Sequence, residues 1–290
     1  MNLYIWDKLQ DRHCINNDSY IGLSENLVNW SYHTNAPLNQ EPIVTKIIKG
    51  DYDNIFNTSK DILDIGACHG VYSIELTKNN KFNHAYAFEA NKIYSRIIGI
   101  NTILNNVVDK VDIINTYISN KNDKINYNGW SNNNENIDTS QLASECYERT
   151  SYDNNYAQFK EVSTRTIDSY NLSNIGFIKI DVEGHELEVL QGALKTIILN
   201  DYPPILFEIW DIEKSFIINK EEFISYKNKI ITLLESIGYE IQFDVDYDTH
   251  LAIHKKKVDY NQPFILIQSK LHLLSYHPNP KNPNILHLLL

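Results

Sequence analysis

From about residue 61 onward, apolar positions along the chain alternate between two rhythms. The run DILDI (61–65) is short, mostly apolar and ends at Gly66, and a helix is expected from Gly70 to about Lys78. AYAFE (85–89) predicts the next strand. In the helix after it, Ile93, Ile97, Ile100 and Leu104 share one face. VDIIN (111–115) predicts a third strand and GFIKID (176–181) a fourth, strongly apolar one. Leu187, Leu190, Leu194 and Ile197 then mark one helical face. PPILFEI (203–209) predicts a fifth strand, with prolines at its entry where missing N–H groups do least harm. A long amphipathic helix is expected from about Glu221 to Ser236, burying Phe223, Ile230, Leu234 and Ile237. YEIQF (239–243) and HLAIH (250–254) close the pattern as a hairpin.

This order predicts an α/β fold with a seven-stranded, mostly parallel sheet and an antiparallel edge hairpin. The right-handed crossover rule places helices on both of its faces. Three segments fall outside the alternation. Residues 1–58 carry Trp6, Trp30 and several tyrosines, and are expected to pack on the core or cap it. Residues 120–160, inside the main domain at 59–254, are polar and too long for an ordinary loop. They are expected to form a substrate-side insertion carrying Trp130, Tyr147, Tyr152 and Tyr156, aromatics that suit sugar stacking or a local core equally well. The extension 255–290 contains FILIQ and ends in ILHLLL. Packing against the body is expected of it, an oligomer interface is the alternative, and the oligomeric state stays open.

Composition narrows the partners. Lys plus Arg number 26 against 37 Asp plus Glu, a net charge of −11, which opposes binding to phosphate backbones and anionic membranes. The KKK run at 255–257 is the only obvious basic cluster and is expected to be a solvated strand end. Cys14, Cys68 and Cys146 are odd in number and widely spaced, which suits neither a disulfide framework nor a zinc site. No apolar run is long enough to span a bilayer, and MNLYIWDKLQ lacks a signal-peptide core. A soluble, unprocessed protein of the reducing cytoplasm is expected.

Candidate chemistry gathers at the carboxyl ends of the predicted strands. Gly66 and Gly70 bracket a strand-to-helix turn, G-A-C-H-G, where backbone can approach a ligand and free helical N–H groups can bind a polar one. Glu89 closes the second strand, where a carboxylate can accept hydrogen bonds from ribose hydroxyls. A dinucleotide enzyme could share both features, although its G-x-G-x-x-G fingerprint is absent. Cys68 and His69 are adjacent in the turn and are read as shaping it. KIDVEGHELEVLQGA (179–193) delivers Lys179, Asp181 and Glu183 to the same sheet edge, and Glu208 ends the neighbouring strand. Charge at the end of a buried strand is costly unless it is paired or used. Arg165 has two open roles, clamping an anionic acceptor group or pairing with Asp168.

DIGACHGVYS (64–73), VSTRTID (162–168), FIKIDVEGHELEVLQGA (177–193) and PILFEI (204–209) resemble, in order, the motifs of the FkbM-family methyltransferases. The resemblance implies a class I, Rossmann-like methyltransferase fold, S-adenosyl-L-methionine as cofactor and methyl transfer to a hydroxyl of a sugar, glycan or related small molecule. It places Asp64, Gly66, Ala67, Cys68 and Gly70 along the methionine end, Glu89 on the ribose, and Asp181 and Glu183 at the reaction centre. The chain departs from the family pattern at Cys68, where asparagine is usual, and the position of His185 varies among members.

An alcohol must lose its proton as it accepts a methyl group. Asp181, Glu183 and His185 are the candidate bases, with Asp181 preferred because its strand fixes it. A magnesium ion held by Asp181 and Glu208 is the other route. The rival functions are a nucleotide-dependent oxidoreductase or sugar-nucleotide enzyme on the same fold, a binding protein that has lost the chemistry, and an RNA methyltransferase, which the acidic charge opposes.

Overall fold

A computed structural model describes residues 4–5, 32–33, 41–127, 160–210, 220–246 and 248–257. Its centre is a seven-stranded sheet built from β1 (Asp61–Ile65), β2 (Ala85–Glu89), β3 (Val111–Asn115), β4 (Ile175–Ile180), β5 (Ile205–Glu208), β6 (Tyr239–Asp246) and β7 (Thr249–His254). Their spatial order is β3-β2-β1-β4-β5-β7-β6. The first five strands are parallel, while β7 pairs antiparallel with both β5 and β6. The hairpin therefore lies at the edge as expected, with a refinement: the outermost strand, β6, runs with the parallel set, and the reversed strand sits one place inside it.

All five residues of β1 and all six of β4 are buried, as parallel strands covered on both faces must be. Alternate side chains feed two cores. Ile62, Ala85, Ala87, Phe177 and Leu206 face α1 (Pro42–Lys49), α2 (Val71–Lys78) and α3 (Lys92–Leu104). Leu63, Ile65, Ile178, Ile180, Ile205 and Phe207 face α4 (Glu186–Gln191), α5 (Leu194–Leu199) and α6 (Lys220–Ser236). The strand order reverses between β1 and β4, and in open α/β sheets the crevice at the carboxyl ends there takes ligands.

A separate three-stranded sheet joins Tyr117–Ile118, Asp123–Tyr127 and Lys160–Arg165, so the two ends of the 128–159 stretch are paired antiparallel. Trp130, Tyr147, Tyr152 and Tyr156 lie outside the described residues, as does the extension beyond 257. The KKK run forms a single 3-10 turn with exposed Lys255 and Lys256, and Lys256 lies over the Tyr202 ring.

Two helical expectations are corrected. Along α3 the buried stripe runs through Tyr94, Ile97, Ile98, Asn101 and Asn105, while Ile100 is 43% exposed. Polar residues serve the core there because they are hydrogen-bonded: Asn101 Nδ2 donates to the His69 carbonyl at 3.0 Å. The helix expected through Leu187 and Ile197 is two helices. Gly192 lies at the junction, where a Cβ would strike the Ser119 carbonyl, and the Asp168 carboxylate caps the second piece by accepting from the N–H groups of Lys195 and Thr196. Of the two roles left open for Arg165, pairing with Asp168 therefore competes with a carboxylate already occupied by α5.

Candidate active site

The turn after β1 is held from three sides. The N–H groups of Gly66 and Ala67 both donate to the Phe88 carbonyl at the end of β2. The Cys68 N–H donates to Glu89 Oε2 at 2.8 Å, and the Asn91 N–H donates to Oε1 at 2.7 Å. Glu89 thus fixes the backbone of the turns after both β1 and β2, and each oxygen keeps lone-pair capacity for a further donor. Burial raises its pKa, against the pull of those two backbone hydrogen bonds.

The two glycines are required by packing. Gly66 has φ +77°, and a Cβ on it would collide with the Asp181 carbonyl. Gly70, with φ +81°, would bring a Cβ to 3.0 Å from Ile98. Neither missing side chain faces a ligand space, so the expected reason for these glycines, close approach of a ligand, gives way to close approach of β4 and α3. Asp64 accepts from the Ser73 N–H at 3.1 Å and from its hydroxyl at 2.7 Å, which satisfies one of the orphan donors at the start of α2. The anion expected at that helix terminus is therefore supplied in part by the chain itself.

Cys68 adopts φ +51°, and its sulfur lies 3.0 Å from His69 Nδ1. Desolvation and then Glu89 push the thiol above its ordinary range, although Cys68 is exposed at the turn. Burial drives His69 down to about 4, so the ring is neutral at physiological pH.

Across the crevice, Asp181, Glu183 and Glu208 bring one carboxylate oxygen each within 4.8 Å of one another. Three carboxyl groups so close cannot all ionise. Desolvation and then Asp181 push Glu208 up to about 10, and the same causes push Glu183 to about 8. Asp181 Oδ2 lies 3.4 Å from Lys179 Nζ, so this member of the trio has a cation beside it. Among the described residues, this trio is the group placed to hold a divalent cation.

His185 goes elsewhere. Its ring is 1% exposed, with Nε2 3.2 Å from Ser119 Oγ and Nδ1 3.5 Å from Glu188 Oε2. Glu188 in turn accepts from the Tyr226 hydroxyl at 3.1 Å. Serine, histidine and carboxylate here follow the order of a hydrolytic triad, but Ser119 is fully buried and offers no access for substrate.

Several site residues were not anticipated. Glu41 accepts from the Tyr72 hydroxyl at 3.0 Å, and burial raises its pKa to about 7 with Lys179 opposing. Its one sequence signal is the Glu-Pro step that starts α1. Glu186 accepts from the N–H groups of Val182 and Gly184, both at 3.1 Å, and so ties down the loop after Asp181. Glu183 and Gly184 both have positive φ in that loop, a conformation that makes those bonds possible.

A family model described as "Methyltransferase FkbM domain" matches residues 64–241, more than half of the chain. Comparison with curated proteins returns no match. Among solved structures, a methyltransferase FkbM from Methylobacillus flagellatus KT aligns at 17% identity over 69% of this chain and 44% of its own, with a TM-score of 0.44. The chain therefore spans less than half the length of that protein. A putative caffeoyl-CoA O-methyltransferase from Staphylococcus aureus aligns at 13% identity over 77% and 92%, with a TM-score of 0.46. An O-methyltransferase from Bacillus cereus, in complex with SAH, aligns at 14% identity over 74% and 81%, with a TM-score of 0.43. On the family match over residues 64–241, this chain belongs to the FkbM methyltransferases.

Proposed function

We propose that this FkbM-family protein transfers a methyl group from S-adenosyl-L-methionine to a hydroxyl of a small molecule or glycan, with Asp181 as general base. The observation that carries this is the meeting of two loops at the switch point: the Gly66–Gly70 turn with Glu89 on one side, and Asp181 with its carboxyl neighbours on the other. Glu89 fits a ribose diol, since its two oxygens already accept one donor each and can accept another. Asp64, Ala67, Cys68 and Gly70 would border the methionine end. Residues 1–58, through Glu41, and the 120–160 insertion would shape the acceptor side of the domain at 59–254, with 255–290 as an extension.

The bound cofactor supplies an electrophilic methyl on a sulfonium. Holding the acceptor hydroxyl in line with it can contribute ~7–11 kcal/mol in favourable cases. Asp181, 3.4 Å from the Lys179 ammonium, would take the hydroxyl proton, a contribution of about 10²–10⁴ in rate. Glu183 and Glu208, both raised above the ordinary carboxylate range, would hydrogen-bond acceptor oxygens.

Calorimetry with S-adenosylhomocysteine and NAD(P)H tests the cofactor: binding of the nicotinamide cofactors alone would refute the proposal. Incubation of glycans and small polyols with S-adenosylmethionine should give a one-methyl mass gain; transfer only to protein, RNA or a phenol would remove the acceptor class. The convergence of Asp181, Glu183 and Glu208 favours one second reading, a magnesium ion that acidifies the acceptor. Loss of transfer on chelation, restored by Mg2+, would select it; transfer that survives chelation selects the base.

A further inference from the structure

Lys179 takes no part in the proposed proton transfer, yet it lies at the centre of the site. Its side chain is 7% exposed. Burial by itself would lower its pKa; Asp181, then Asp64 and Glu41, outweigh that and keep the ammonium charged. Nζ donates to the Gly66 carbonyl at 2.7 Å and lies 3.6 Å from Asp64 Oδ1, 3.4 Å from Asp181 Oδ2 and 5.4 Å from the Tyr72 ring centroid. Asp64 Oδ1 is buried without a hydrogen bond, so this ammonium is its counter-charge.

These contacts differ in kind. The bond to Gly66 is short and directional, whereas the two carboxylates are held at ion-pair distance by a compact charge on a flexible stem. The far end of the acceptor loop is fixed separately, by Glu186 on the N–H groups of Val182 and Gly184. Lys179 therefore bridges the Gly66 turn to the Asp181 side chain, at the start of the loop that Glu186 ties together over 182–186.

We propose that Lys179 is a positioning residue that couples occupancy of the cofactor turn to the placement of Asp181. Resting on the function proposed above, its role is to set the base when the turn closes on the cofactor. In the transfer itself the acceptor oxygen forms its bond to the methyl carbon, the C–S electron pair returns to sulfur, and the hydroxyl proton passes to Asp181. Lys179 exchanges neither protons nor electrons in that step.

The test measures S-adenosylhomocysteine binding by calorimetry and amide hydrogen exchange, with and without ligand, in the wild type, Lys179→Met, Lys179→Met/Asp64→Asn and Lys179→Arg. The double variant removes the buried charge that the single methionine variant would strand, and its asparagine can still cap Ser73. In the wild type the ligand should protect amides in both 66–73 and 182–186. In the folded double variant protection should be confined to 66–73, with affinity weakened about 5-fold or more, the range of ordinary site-to-site coupling. Lys179→Arg, which keeps the charge but moves the donors, should restore protection of 182–186 in part. A folded methionine variant, single or double, with wild-type affinity and wild-type protection of 182–186 would overturn the proposal. Absence of binding to the wild type would instead overturn the proposed function, and this role with it.

Discussion

Gly66 lies directly against the Asp181 backbone, close enough that a Cβ on the first would enter the carbonyl oxygen of the second. The crevice between β1 and β4 is therefore closed at its floor by main chain. Gly66→Ala would add this overlap to a φ of +77°. The expected cost is at least ~1–3 kcal/mol from overpacking, with a further penalty from the positive φ. Denaturant unfolding should show that loss together with a fall in cofactor affinity; an alanine variant as stable as the wild type would contradict the geometry.

Glu89 holds two backbone N–H groups from different segments, so its removal affects the turn and the ligand together. Hydrogen bonds to a charged acceptor are worth ~1.5–3 kcal/mol. Glu89→Ala should therefore weaken S-adenosylhomocysteine binding by about 10- to 100-fold, with Glu89→Gln intermediate. Calorimetry at fixed pH decides, and unchanged affinity in the alanine variant would take the ribose role from Glu89.

Alongside Glu41, Glu183 and Glu208, Glu186 should contribute its own pH dependence to stability. This carboxyl is 3% exposed and pushed up to about 7 by desolvation, against three opposing backbone hydrogen bonds. Between its unfolded value near 4.5 and about 7 the folded state holds more protons than the unfolded one, so stability falls as pH rises and the loss is complete above about 7. His69 acts in the opposite sense: lowered to about 4, it makes stability rise with pH up to about 6.5. Glu186→Gln keeps an acceptor for Val182 and Gly184 but cannot ionise. Relative to the wild type it should gain up to about 3 kcal/mol between pH 4.5 and 8. Parallel melting curves across that range, with a constant gap, would refute the assignment.

His185 and Asp181 should separate cleanly. His185→Asn strands the Ser119 hydroxyl and should cost ~1–3 kcal/mol of stability while leaving cofactor affinity unchanged. Asp181→Asn should keep the fold and cofactor affinity and lower turnover by about 10²–10⁴. If His185→Asn folds normally and loses turnover to that extent, His185 becomes the base.

Strand positions were legible from short, mostly apolar runs: DILDI, AYAFE and VDIIN are β1, β2 and β3 residue for residue, although β1 is buried throughout while the edge strand β3 exposes Asp112 and Asn115. The convergence of Asp181, Glu183 and Glu208 also followed, since all three end neighbouring strands. What escaped the sequence was polar chemistry inside the core. Asn101 and Asn105 occupy the buried stripe of α3 because each has a hydrogen-bond partner, which apolar periodicity does not register. Glu41 lies far from Tyr72 and Lys179 in the chain, and only the packing of α1 on α2 brings them together. The need for glycine at 192, between α4 and α5, comes from Ser119, a residue more than seventy positions away.

The place of β7 has a consequence for how the protein is made. It is the last strand of the sheet to be synthesised, yet it lies between β5 and β6, pairing with both. During translation, then, β6 emerges before the strand that must separate it from β5. Until residue 254 has cleared the ribosome, β5 presents an unpaired edge bearing Leu206 and Phe207, the kind of edge that recruits other chains. A chain ending within β7 would leave that edge open, an exposed strand that favours aggregation.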